Sequence, residues 1–374
     1  MLTIKKRRLV FYLLVFLFIL VSPVIVAYAM GYTIDFSRGS ISKVGGIFVK
    51  SAKGGFSVYL DGEFQKETSL LSSGALLTGL QPGNYDLRIE KEGFKFWVKN
   101  VKVDAGIVAE IRDVLLVPDP IRLANTTKEE LYTINLANQK NKNYQLTRGG
   151  DLLDLNKSVV SSEDSENQAT SSPKVIATKI KFFEKVGEYI FLVSRQGFLA
   201  RLNPNDNSIE TIGRLGFFID ERPFKFRNAG DYVFVIDSAG GGYLLDKNEL
   251  KNTFHSEILE AYFDKEDNKI LLVRKDGLEV VWLADNPRQP FQKTGDKEVV
   301  FTSKDKIKDA RWFFGTNKHL IIQTDKNVLL TSIKKDEDSP VVLADWPVEY
   351  ISTSPELPDK IFIKKKGVSY KIEL

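Results

Sequence analysis

From Leu9 to Ile34 the chain carries no charged side chain. Within that run, Leu9 to Met30 is 22 residues. As a helix rising about 1.5 Å per residue it is about 33 Å long, enough to cross a hydrocarbon core. Pro23 would break a soluble helix but is tolerated within a membrane helix. Tyr12, Tyr28 and Tyr32 fall where interfacial aromatics belong. Lys5, Lys6, Arg7 and Arg8 precede the run, and the first charge after it is Asp35. The positive-inside rule therefore predicts a cytoplasmic tail at 1–8, a transmembrane helix at 9–30 and an extracytoplasmic C-terminus, a single-pass protein of the cell membrane. A cleaved signal peptide is the rival reading, because Ala27-Tyr28-Ala29 is a small-x-small triplet. Signal peptides have apolar cores of only ~7–15 residues, so an uncleaved signal-anchor is expected.

The tail also accounts for the charge balance. The chain has 53 Lys+Arg and 49 Asp+Glu, and without the four tail cations the counts are equal. A nucleic-acid binder needs a basic patch in its folded part, and none is evident, so no nucleic-acid partner is expected. There is no cysteine, which excludes disulfides, thiolate metal sites and a cysteine nucleophile. Only His255 and His319 could supply imidazole, and neither stands in a metal-ligand spacing.

Residues 31–44 read as a connector and 45–118 as a small all-β unit. Gly46 to Ser51 reads as a strand, and Phe56 to Leu60 alternates up to an Asp61-Gly62 turn. Leu76, Leu77 and Leu80 lead to Pro82-Gly83, and Tyr85 to Lys91 alternates up to Glu92-Gly93. Phe96-Trp97-Val98, Val101-Lys102-Val103, a turn at Ala105-Gly106 and Val114 to Val117 complete it. Short strands between Gly-bearing turns predict a β-sandwich. Ser51, Gly55, Val58-Tyr59-Leu60-Asp61-Gly62, Gly79-Leu80-Gln81-Pro82-Gly83-Asn84-Tyr85, Lys91-Glu92-Gly93-Phe94 and Trp97 together resemble a PEGA domain. The tetrapeptide that names the family is replaced by Lys53-Gly54-Gly55-Phe56, where only a glycine agrees. The resemblance implies a membrane-tethered bacterial envelope protein and carries no catalytic residues.

Residues 119–374 read as one repeating domain. A strand, a tight turn and a second strand recur, beginning near Tyr189, Tyr232, Lys269, His319 and Lys360. Anchored at Ile190, Val233, Ile270, Leu320 and Ile361, the intervals are 43, 37, 50 and 41 residues. Phe182-Phe183, Phe224 with Phe226, Tyr262-Phe263 and Trp312-Phe313-Phe314 precede four of the pairs. This period predicts a β-propeller similar to WD-like or TolB-like propellers, although no WD dipeptide recurs. A solenoid or an irregular multi-sheet domain is the alternative. Leu131 to Leu136 followed by Tyr144-Gln145-Leu146 resembles the latter half of a further blade, giving about six. The final strand suits closure, in which early and late segments complete one blade. The polar, serine-rich stretch 155–174 reads as a mobile loop within the domain.

Chemistry is sparse. Ala239-Gly240-Gly241-Gly242 lacks the Lys-Ser/Thr of a phosphate loop. Asp264, Glu266 and Asn268 alternate like calcium ligands, but Lys269 stands where glycine is needed, so a hairpin turn is expected. Asn203-Pro204-Asn205-Asp206-Asn207 is a turn cluster. No catalytic, cofactor or metal residue is nominated. The fold class expected is all-β outside the membrane: one N-terminal transmembrane helix, a PEGA-like sandwich, then a propeller-like domain. The function expected is non-catalytic binding or scaffolding, with the membrane and an envelope protein or cell-wall polymer as partners. A glycan or peptide hydrolase with its site in the propeller mouth is the alternative. So is a sensor subunit, whose short tail would need a membrane partner.

Overall fold

The computed structural model describes residues 4–29, 31–35, 40–136, 143–160, 171–186, 188–215, 224–247, 249–254, 257–266, 268–287, 291–334 and 340–374. They fall into two compact units, Met1–Arg122 with Leu374, and Leu123–Glu373.

The first unit opens with α1 (Ile4–Ala29), which contains Pro23. Its stretch Arg8–Ala27 is long and apolar enough to cross a membrane. Leu9 to Val21 is exposed all round within the chain. A helix apolar on every face fits a membrane anchor by length and composition. A short hairpin, β1 (Tyr32–Asp35) and β2 (Ser40–Lys43), leads into the sandwich.

The sandwich strands are β3 (Gly45–Ser51), β4 (Ser57–Leu60), β5 (Glu63–Glu67), β6 (Gly74–Leu80), β7 (Gly83–Glu90), β8 (Trp97–Val103) and β9 (Val108–Val114). One sheet has the order β6-β3-β9 and the other β5-β4-β7-β8. Alternation puts Ile47, Val49, Val58, Leu60, Leu87, Ile89, Val101 and Val103 into one core between them. Asp61 and Gly62 both have positive φ (51° and 84°), the geometry a two-residue hairpin demands. Two details differ from the sequence reading. Strand β5 was not expected, because all five of its residues are exposed and it carries no apolar alternation. The last strand lies at Val108–Val114, parallel to β3, while Leu115 to Val117 form no strand although they are buried.

The second unit begins with β10 (Ala124–Asn125) and α2 (Lys128–Leu136). Among the described residues its strands build six sheets. The first contains β11 (Tyr144–Leu146), β12 (Leu152–Val160) and β13 (Ser171–Ala177). The second has β14 (Ile180–Val186), β15 (Tyr189–Ser194), β16 (Phe198–Leu202) and β17 (Ile209–Arg214). The third has β18 (Lys225–Ala229), β19 (Tyr232–Ile236), β20 (Gly242–Asp246) and β21 (Glu249–Phe254). The fourth has β22 (Glu260–Phe263), β23 (Lys269–Val273), β24 (Gly277–Trp282) and β25 (Lys297–Thr302). The fifth has β26 (Ile307–Phe313), β27 (His319–Thr324), β28 (Val328–Ser332) and β29 (Val341–Ala344). The sixth runs β30 (Tyr350–Ser354), β31 (Leu357–Lys365) and β32 (Val368–Glu373), and β10 pairs on its outer edge with β32.

This is propeller architecture. All pairings within the six sheets are antiparallel, and first strands of successive sheets meet in chain order, β11 with β14, then β18, β22, β26 and β30. The five strand pairs read from the sequence are the second and third strands of the second to sixth sheets. Among them β23 and β27 are buried on both faces, because their sheets are covered by neighbouring sheets. Cores lie between sheets: Phe191, Phe226 and Leu245 form one, and Leu271, Trp282, Trp312 and Ile322 another. The pairing of β10 with β32 joins early and late chain in one blade, as the sequence predicts.

The segment Leu131 to Leu136 is a helix and not blade strands. Thr127 and Glu130 form a capping box: Glu130 N donates to Thr127 Oγ1 (3.3 Å), and Thr127 N donates to Glu130 Oε2 (2.9 Å). Tyr144 to Leu146 is the first strand of its sheet and not a later one. The polar stretch 155–174 is not a loop at its ends, where β12 extends to Val160 and β13 begins at Ser171. Residues 161–170, the middle of that stretch, lie outside the described residues.

Candidate functional site

Inner strands of a propeller carry the residues that face its axis and its neighbouring blades. On β18, β22 and β26 these strands hold three triplets of one design: Lys225-Phe226-Arg227, Glu260-Ala261-Tyr262 and Asp309-Ala310-Arg311. The middle residue of each is buried among apolar neighbours. Alternation then sets the outer two on the opposite face. There they meet across blades. Lys225 Nζ lies 2.5 Å from Glu260 Oε1 and donates to Leu259 O (2.8 Å). Arg227 Nη2 lies 2.6 Å from Glu260 Oε2. Tyr262 OH donates to Asp309 Oδ1 (3.2 Å), and Arg311 Nε donates to Asp309 Oδ2 (2.9 Å). The Arg311 guanidinium lies 4.0 Å from the Tyr262 ring centroid and that of Arg227 5.8 Å, so two cations lie close to the phenol ring. Trp312 Nε1 donates to Tyr262 O (2.7 Å), fixing that strand against its neighbour.

Electrostatics follow from burial. Burial disfavours the Arg227 charge, but Glu260, Tyr262 and Glu184 together more than offset it, and the guanidinium pKa lies above its ordinary value. Burial pushes the Tyr262 phenol well above the usual range. It also raises the Asp309 carboxyl, against the opposing pull of Arg311. Both oxygens of Glu260 and both of Asp309 are engaged by cations or a hydroxyl. The cluster is a compensated, hydrogen-bonded surface that presents both signs of charge and an aromatic ring. It suits polar recognition, with both carboxylates held by hydrogen bonds and ion pairs.

The other sequence candidates have structural roles. Asp264 Oδ1 accepts from Asn268 N (2.9 Å) and Lys269 N (3.0 Å), and its Oδ2 accepts from Asn317 Nδ2 (3.0 Å). The Lys269 ammonium sits 2.5 Å from that second oxygen, between the rings of Trp282 and Trp312 (5.1 and 5.6 Å). At the glycine turn, Asp237 Oδ1 accepts from Ala239 N and Gly241 N (both 2.8 Å). A Cβ on Gly242 would fall 2.6 Å from the Phe234 ring, so packing requires glycine there. In the 203–207 turn, Asn205 N donates to Asn203 Oδ1 (3.1 Å). His319 is buried, its Nδ1 2.7 Å from Thr316 Oγ1; His255 lies outside the described residues. Among the described residues no group of His, Asp and Glu could hold a metal ion.

Lys5, Lys6, Arg7 and Arg8 lie in the opening turns of α1. Cations there oppose the helix dipole, so helix stability does not account for them. The inner-strand triplets were not singled out from sequence, although each stands just before a strand pair and repeats a charged–apolar–polar pattern.

Comparison with curated proteins gives no match. Among solved structures, the β-propeller domain of Cps50 (Swd1) from Myceliophteria thermophila is similar, at 9% identity and a TM-score of 0.37. That alignment covers 50% of this chain and 63% of the other. The six sheets themselves define the propeller here. Residues 44–116, which contain the whole seven-stranded sandwich, match the PEGA domain family.

Proposed function

We propose that this chain is a membrane-tethered, extracytoplasmic binding or scaffolding protein of the cell envelope, without catalytic activity of its own. Lys5 to Arg8 hold the N-terminus in the cytoplasm, α1 spans the membrane, and the PEGA domain and the propeller lie outside. The carrying observation is the inner-strand network, in which the carboxylates of Glu260 and Asp309 are both fully engaged. Such a surface recognises polar ligands through preformed groups on rigid strands. An envelope protein or a cell-wall polymer is the partner class that this location supplies.

A second reading, an envelope glycan or peptide hydrolase, is favoured by one observation: burial raises the Asp309 carboxyl, as in general acids. The experiment that separates the two uses full-length protein in vesicles, incubated with purified cell-wall polymer and, separately, with detergent-solubilised envelope proteins. Retention of polymer or of a stoichiometric protein partner, lost on Arg227→Ala with Arg311→Ala, supports binding. Retention of neither, with turnover of polymer that Asp309→Asn abolishes, supports the hydrolase.

A further inference from the structure

One end of the sandwich is tied by backbone to the exit of the apolar helix. Gly31 O accepts from Val44 N (2.8 Å), and Val44 O accepts from Gly106 N (3.0 Å). Two steps of about 4.8 Å place the turn Asp104-Ala105-Gly106-Ile107 roughly 10 Å from Gly31. The headgroup region adds about 5–8 Å to each side of a hydrocarbon core. Where α1 spans a bilayer, the turn is within reach of the lipid headgroups.

Its surface is unusual for a solvated turn. Ile107 is 49% exposed and Val108 39% exposed. Pro82, in the adjacent turn between Leu80 and Gly83, is also exposed, and the pairings Gly45 with Leu80 and Gly83 with Val103 bring that turn to the same end. Lys43 is exposed, and its stem covers Gly106, where an added Cβ would fall 2.5 Å from Lys43 Cε. Lys102 is exposed and lies 2.9 Å from Asp104. Apolar tips flanked by lysines are what interfacial membrane contacts are made of.

We propose that this end of the sandwich seats on the headgroup layer of the bilayer that holds α1. Ile107 and Val108 enter the interface, and Lys43 and Lys102 face lipid phosphates. The inference rests on the anchor reading, since a chain without a membrane helix would have no bilayer at that place. It makes the domain a footing that fixes its own tilt on the membrane.

Exposed apolar residues elsewhere supply the control. Leu71 is 100% exposed and lies at the opposite end, in the loop that packs on Gly54. The seven residues of β3 separate the two ends by about 23 Å, at about 3.3 Å per residue. Because the chain has no cysteine, Ile107→Cys, Ala105→Cys and Leu71→Cys can each carry one environment-sensitive fluorophore. The full-length variants are reconstituted into vesicles of zwitterionic and anionic phospholipid, floated on a density gradient, then exposed to headgroup-attached quencher lipids. The proposal expects loss of most fluorescence at 105 and 107, with a blue-shifted emission at 107, and no loss at 71. Equal, weak quenching at all three sites in floated vesicles would overturn it while leaving the anchor intact. Failure to float would overturn the anchor reading, and this one with it.

Discussion

Glu130 joins the early helix to the last blade, and replacing it by glutamine has a calculable cost. Its Oε1 accepts from Lys360 Nζ on β31 (2.9 Å) and Lys371 Nζ on β32 (2.8 Å). Its Oε2 accepts from Thr127 N. The side chain is 9% exposed and those of the two lysines 20% and 18%. Burial alone would raise the carboxyl, but Lys371, the Thr127 amide and Lys360 together lower it to about 2 from 4.5. At about 1.4 kcal/mol per pKa unit the shift would be worth ~3 kcal/mol. Solvent around the lysine heads screens the pair, which reduces this to about 1–2 kcal/mol. Glutamine keeps the capping-box acceptor and removes only the charge. Glu130→Gln should therefore lower Tm by about 2–8 °C near pH 7. The sign of the pH dependence follows from the depressed pKa. The contribution is complete above the unfolded value near 4.5 and is lost as pH falls towards about 2. Calorimetric melts of both full-length proteins in detergent should show a constant gap above about pH 5 that closes between about pH 4.5 and pH 2. A gap that persists unchanged at the acid end, or is absent near neutrality, would refute the ion-pair account of this latch.

Other consequences are as direct. Asp264→Ala should cost about 3–5 kcal/mol, because it leaves the buried Lys269 ammonium without its carboxylate; a Tm unchanged in the same calorimeter would contradict this. Leu272→Ala should cost about 2–5 kcal/mol, because Leu272 is fully buried in a core between sheets. Equilibrium unfolding monitored by the tryptophans checks it. Gly62→Ala should destabilise the sandwich by about 1–2 kcal/mol despite open space around it, because φ is +84°; no loss would mean the turn relaxes to another type. Replacing Lys5, Lys6, Arg7 and Arg8 by glutamate should scramble or invert the topology, read by protease protection of sealed membranes.

Where the sequence was legible, burial was the reason. The strand pairs at Tyr189–Leu202, Tyr232–Leu245 and Lys269–Trp282 are apolar on both faces, so they stand out as runs interrupted by turn residues. The outermost strands were silent for the opposite reason. Glu249 to Thr253 on β21 are all exposed, and backbone pairing to Gly242–Asp246 alone makes them a strand. The helix Lys128–Leu136 was misread because Leu131, Tyr132 and Ile134 fit either period over so few residues. Thr127 and Glu130, three apart, were the signal that decided it. The inner-strand network was invisible as a site, since Arg227, Glu260 and Asp309 meet only through blade stacking. Their triplets could have been aligned once the repeat was recognised.

The placement of nearly all of the chain outside the cytoplasm is tested most directly by cysteine accessibility. The chain has no cysteine, and Val342 on β29 is exposed, so Val342→Cys gives one reactive thiol on the propeller surface. A membrane-impermeant maleimide should label this variant fully in intact cells, with no gain after lysis. Labelling only after lysis would place the propeller inside the cell and contradict the account.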